Sequence, residues 1–145
     1  TEHYLFTGWI LYADLHRHIN LADITVAPFL LTPTANTAEC AKIIDYLSQG
    51  KPVIATKGQG VCSLYGDHLH YIGAGDSAGF FKQVDYLFAN PPTEEKSQKL
   101  RQLALMFDAP ALMAHEMKII SEYLKNPKQD FRHYDYIPAN LLDDK

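Results

Sequence analysis

The chain has 145 residues, 47% of them hydrophobic, which is one domain's worth of sequence with enough apolar side chains for a real core. A formal charge of −4 gives no basic footprint and argues against nucleic acid as a partner. The two cysteines, Cys40 and Cys62, have no metal-site spacing and form no disulfide framework, and no run of about 18 apolar residues reads as a membrane span.

Tyr4–Thr7 reads as a short strand that ends at Gly8. Leu11–Leu21 is helical, with Leu11, Leu15, Ile19 and Ala22 on one stripe and His16, Arg17 and His18 on a solvated side. Ile24–Ala27 is the second strand, and Pro28 helps end its pairing. Phe29–Thr37 is a loop holding Pro33, Thr34 and Asn36. Loops at the carboxyl ends of parallel strands are where open α/β sheets bind ligands.

A helix then starts near Ala38. Cys40, Ile43, Ile44 and Leu47 recur at three- and four-residue spacings and share a face. Asn36 and Glu39 have the spacing of a capping box at its start. Gly50 is the expected left-handed stop, and Pro52 forbids continuation. Lys42 and Asp45 lie one turn apart on this helix. Spacing alone leaves two readings open, an exposed ion pair or two groups facing one ligand. Val53, Ile54 and Ala55 form an apolar run that suits a strand buried on both faces, as in a parallel sheet.

Thr56 is followed by a glycine-bearing loop. Gly58-Gln59-Gly60 lacks the third glycine of a dinucleotide fingerprint and opens no clear helix, so a nicotinamide-binding loop is disfavoured. His68–Ile72 reads as an edge strand. His68 and His70 would share a face there, but no third metal ligand is recognisable, and a structural or surface role is preferred. Asp76 or Ser77 caps a helix over Ala78–Phe88 that buries Phe80, Val84, Leu87 and Phe88, and Asn90-Pro91-Pro92 stops it. A helix from Thr93 to about Phe107 sets Leu100, Leu103, Ala104 and Phe107 in phase. Asp108 and Pro110 open a last helix to about Leu124, with Met113, Met117, Ile120 and Leu124 aligned. The order predicts a doubly wound parallel α/β sheet with C-terminal helices over residues 1–126, followed by a polar tail over 127–145.

Three blocks carry a family resemblance. IIDYLSQGKPVIAT resembles the segment "lEYMAxGkPVvas" of the group 1 glycosyltransferases, which have the GT-B fold. LFTGWI resembles their "v.FtGwv" strand and turn, and LADITVAPF their "aDvfv.PS" strand. The blocks fall in the family's order between Leu5 and Thr56. The resemblance implies the C-terminal, Rossmann-like, nucleotide-sugar-binding half of a GT-B enzyme. In the family two further strands precede the one at Tyr4 and lie mid-sheet, so the chain is expected to be incomplete at its N-terminus and inactive alone.

The resemblance also implies a site. Asp45 falls where the family has the second Glu of its Glu-x7-Glu motif, the carboxylate that accepts from the donor's ribose hydroxyls. The first Glu falls at Thr37, where this chain has no carboxylate, while Glu39, two positions away, is better read as a cap. Lys42 matches a lysine of one branch that suits a diphosphate. The helix start near Asn36, Thr37 and Ala38 offers N–H groups to the same diphosphate. Gly8, Trp9 and Ile10 match the turn whose backbone holds the nucleobase edge, although Trp9 reads equally as a core or lid aromatic.

No catalytic residue is assigned. The expected activity is hexosyl transfer from a nucleotide-diphosphate sugar, with no metal cofactor, to an acceptor held by an N-terminal domain of the same protein. The expected location is cytoplasmic, with any contact at the inner membrane face made through that other domain. The alternative is a catalytically silent α/β domain used for binding or assembly.

Overall fold

The computed structural model describes residues 3–38 and 40–127. Three parallel strands lie in the order β1 (Thr25–Ala27), β2 (Val53–Thr56), β3 (His70–Ile72). The α-helices among the described residues are α1 (Tyr12–Leu21), α2 (Pro33–Thr37), α3 (Ala41–Ser48), α4 (Gln59–Tyr65), α5 (Ser77–Ala89), α6 (Glu94–Leu105) and α7 (Ala109–Lys125). The chain is α/β, as expected, with helices on both faces of a parallel sheet.

Strand alternation explains which helices go where. Ala27, Val53 and Ala55 join a core closed by Ile43 and Leu47 of α3, Val61 and Tyr65 of α4, and Leu100, Leu103 and Ala104 of α6. Val26, Ile54 and His70 stand in register on the other face. There α5 meets His70 through Gln83 and Tyr86. All four residues of β2 are buried, the two-faced burial that its unalternating apolar run requires.

The turn from α3 into β2 forms as read. Gly50 takes φ +68°, its N–H bonds the Leu47 carbonyl, and the Lys51 N–H bonds the Tyr46 carbonyl. That is a Schellman ending, and it aims the chain straight into β2. Thr25 and Thr56, the buried polar residues of the sheet, are both bonded: Thr25 Oγ1 donates to the Pro52 carbonyl, and Thr56 Oγ1 accepts from the Phe29 N–H. The second bond ties the exit of β1 to the end of β2. Asp76 caps α5 and Thr93 caps α6, each accepting a backbone N–H three residues on.

Several expectations need correction. Tyr4–Thr7 is not a strand: Tyr4, Leu5 and Phe6 are 77%, 88% and 91% exposed, and the segment pairs with none of the three strands. Without a partner edge a short apolar segment has nothing to pair with or bury against. The loop before α3 contains α2, because Thr32 accepts the Ala35 N–H and Pro33 occupies the first helical position. The glycine-bearing loop after β2 is mostly α4. His68 lies in a 3-10 turn rather than on the strand with His70. Phe88 is 63% exposed; of the α5 residues expected inside, only Leu87 is fully buried. On α7 the aligned Met113, Met117, Ile120 and Leu124 are exposed. The expected tail falls almost wholly outside the described residues, as does Glu39. No helix among the described residues is long and apolar enough to cross a membrane.

Candidate functional site

The candidate site is built on α3. This helix is held by Ile43 and Leu47, both fully buried, which fixes the direction of its other faces. Cys40, its N-cap, gives no side-chain bond, so none of its first-turn N–H groups is capped by that residue. Lys42 sits in the first turn and Asp45 one turn on.

Asp45 is half-buried on the flank that faces α1. The Tyr12 phenol, at the start of α1, donates to Asp45 Oδ1 at 3.3 Å. Between the two helices opens a hollow of about 270 Å³, lined by Tyr12, Leu15, His16, Ile19, Asp45 and Gln49 among others. Since α1 runs into β1 and α3 runs back from it, Tyr12 and the start of α3 both lie toward the carboxyl ends of the strands. Burial holds the neighbouring Tyr46 phenol above its ordinary pKa, and Cys40 and the Asp45 charge push the same way.

Lys42 and Asp45 form no ion pair. The Lys42 ammonium lies over the Phe29 ring instead, 4.7 Å from its centroid. Phe29 also lines a second, mostly apolar hollow of about 500 Å³ at the carboxyl ends of all three strands, with Val26, Thr56, Ile72, Phe80 and Phe81. Lys42 is therefore at the sheet's ligand-binding end, and no carboxylate among the described residues pairs with it.

The other expected residues separate from this pair. Asn36 does not cap α3. It lies inside α2, and its Oδ1 accepts the Gln59 N–H at 3.0 Å, capping α4 instead. Thr37 and Ala38 end α2 rather than begin α3. The Thr37 hydroxyl donates back within α2 to the Pro33 and Thr34 carbonyls, and the backbone of both residues packs on Gly60. They line neither hollow. The first-turn amides in question thus belong to Ala41 and Lys42. Gly8 adopts φ +67°, the left-handed turn glycine allows. Trp9 beside it is fully exposed and so is not a core residue, while Ile10 is half-buried.

Elsewhere, His70 Nδ1 lies 3.2 Å from Gln83 Oε1, and burial, with the Lys96 charge, lowers its pKa against the opposing effect of the Gln83 bond. No group of three or more His, Cys, Asp or Glu placed to hold a metal ion occurs among the described residues. A third hollow, about 450 Å³, lies at the opposite, amino end of the sheet near Pro52 and Arg101.

Two residues of the site were missed from sequence. Tyr12 lies on the same side of α1 as Leu15 and Ile19, at spacings of three and seven, and lines the hollow with them although most of its surface is exposed. Leu11, which spacing also allowed, is the N-cap and points to solvent. Phe29 sits in a segment with no periodicity to read.

Comparison with known proteins adds one match. A family model described as glycosyl transferases group 1 fits residues 1–90. No curated protein and no solved structure matches the chain.

Proposed function

The chain belongs to the group 1 glycosyltransferases, and from that premise we propose that it binds the nucleoside-diphosphate part of a sugar donor for glycosyl transfer. The observation that carries this reading is that Asp45 and Lys42 stand one turn apart on a helix that starts toward the carboxyl ends of the sheet, Asp45 beside the hollow against α1 and Lys42 over Phe29. In this reading Asp45 accepts from the ribose hydroxyls. Asp45 Oδ1 already holds one phenol bond. A carboxylate has about four acceptor positions, so a vicinal diol can still be met. The Lys42 ammonium and the first-turn N–H groups of α3 face the diphosphate.

Glycosyl transfer breaks the bond from the anomeric carbon to the diphosphate oxygen, and the bonding pair leaves with the diphosphate. The acceptor oxygen forms the new bond and gives up its proton. Negative charge grows on the departing diphosphate, and groups already aimed at it stabilise the transition state more than the ground state. Lys42 and the α3 amides are suited to that task. The reading calls for no metal. It places the acceptor, and any contact with the inner membrane face, on another domain of the same cytoplasmic protein, with a hexose as the transferred sugar.

The test is calorimetric titration of uridine, guanosine and adenosine diphosphates into the wild-type chain and Asp45→Ala. Losing hydrogen bonds to a charged group should cost the variant about 1 kcal/mol or more for the nucleotide that binds tightest. Unchanged affinity would remove Asp45 from the site.

One observation favours a second reading, a domain that binds without turning over. Thr37, where the family has a carboxylate, keeps its hydroxyl bonded inside α2. Sugar release from a bound donor would separate the enzyme from the silent domain.

A further inference from the structure

We infer that Tyr12 is a positioning residue for Asp45, setting which way its carboxylate faces and hence how well the chain distinguishes a ribose from a sugar without hydroxyls. This rests on the proposed role of Asp45 in donor binding. The contact joins residues 33 apart in sequence, from the first turn of α1 to the middle of α3. Among the described residues it is the hydrogen bond made by the Asp45 carboxylate, and no cation pairs with that group. Lys42, the basic residue one turn away, is over Phe29. An aspartate on a helix flank can take more than one χ1 rotamer. The phenol selects the rotamer that points toward α1 and into the hollow both residues line. Asp45 Oδ2 and part of Oδ1 stay available to a ligand.

Tyr12 itself is 79% exposed, so it contributes little by burial. At 3.3 Å the bond is longer than the roughly 2.7 Å of a strong charge-assisted O–H···O pair, so the hold is modest and its removal should cost less than removing the carboxylate. A tyrosine kept only for packing would be replaced by phenylalanine without effect. A tyrosine that orients Asp45 would not.

The experiment compares a ribonucleoside diphosphate with its 2′,3′-dideoxy counterpart, using uridine, guanosine and adenosine forms. Affinities are measured by calorimetry on the wild-type chain, Tyr12→Phe, Asp45→Ala and the double variant. The wild type should prefer the ribonucleotide. Tyr12→Phe should reduce that preference by about three- to tenfold, the scale of one hydrogen bond, while leaving dideoxynucleotide affinity unchanged. Asp45→Ala should abolish the preference, and adding Tyr12→Phe should then change nothing further. A preference kept in Tyr12→Phe but lost in Asp45→Ala overturns the inference and leaves the donor site standing. No preference in the wild type removes the Asp45 reading and this inference with it. A loss in Tyr12→Phe that is equal for both nucleotides assigns the tyrosine to folding and also overturns the inference.

Discussion

Gly60 of α4 is pressed against Thr37 of α2. A Cβ on Gly60 would stand 2.5 Å from the Thr37 carbonyl oxygen and 2.9 Å from that of Ala38. Both obstacles are backbone, so neither can swing aside. The contact is reinforced nearby by the bond from the Gln59 N–H to Asn36 Oδ1. Gly60→Ala should therefore force α2 and α4 apart and destabilise the chain by about 1–3 kcal/mol, the usual cost of overpacking. Urea unfolding would show it as a lowered midpoint at unchanged slope. A midpoint equal to wild type would mean that α2 slides freely.

The same glycine shows where sequence reading stopped short. Gly58-Gln59-Gly60 could be tested against a nucleotide motif and rejected, but nothing local says that a glycine is small because another backbone passes over it. Close approach is a tertiary fact. By contrast α3, Gly50 and β2 were legible, because burial at 43 and 47, a left-handed stop and an unalternating apolar run each act within a few residues. Tyr4–Thr7 reads as a strand because its residues are apolar and aromatic, but that composition does not say whether a partner edge is beside it. Asp45 and Lys42 lie on the helix where spacing puts them, one turn apart, and their role there rests on the resemblance. Asn36, Thr37 and Ala38 were placed on the wrong helix, because Thr32-Pro33 starts a separate turn that absorbs them.

His70 ties stability to pH. Its ring packs on Tyr86, its Nδ1 meets Gln83 Oε1, and Lys96 adds positive charge nearby. Burial is the largest cause of its lowered pKa. The unfolded chain therefore binds this proton more readily than the folded one. The stability due to neutral His70 is complete above the unfolded value of about 6.5, and it is lost as pH falls from there through the folded value. Urea midpoints should drop between about pH 7.5 and pH 5.5, and His70→Gln should show a smaller drop. Equal drops in the two proteins would locate the pH dependence elsewhere.

Lys42 gives the sharpest test of how the diphosphate would be met. Its ammonium over Phe29, 4.7 Å from the ring centre, is an exposed cation–π contact worth about 0.5–1 kcal/mol. That is enough to bias where the charge rests, yet weaker than a charge-assisted bond to phosphate, so a diphosphate can draw the ammonium off the ring. Lys42→Gln should weaken nucleoside-diphosphate binding by about 1.5–3 kcal/mol, the scale for a hydrogen bond to a charged group. The parent nucleoside, with no phosphate, should bind both proteins alike. The difference for the diphosphate should also shrink as salt rises, since Lys42 is exposed and screened. A loss shared by nucleoside and diphosphate, or one indifferent to salt, would mean that Lys42 supports the site through Phe29 and not through its charge.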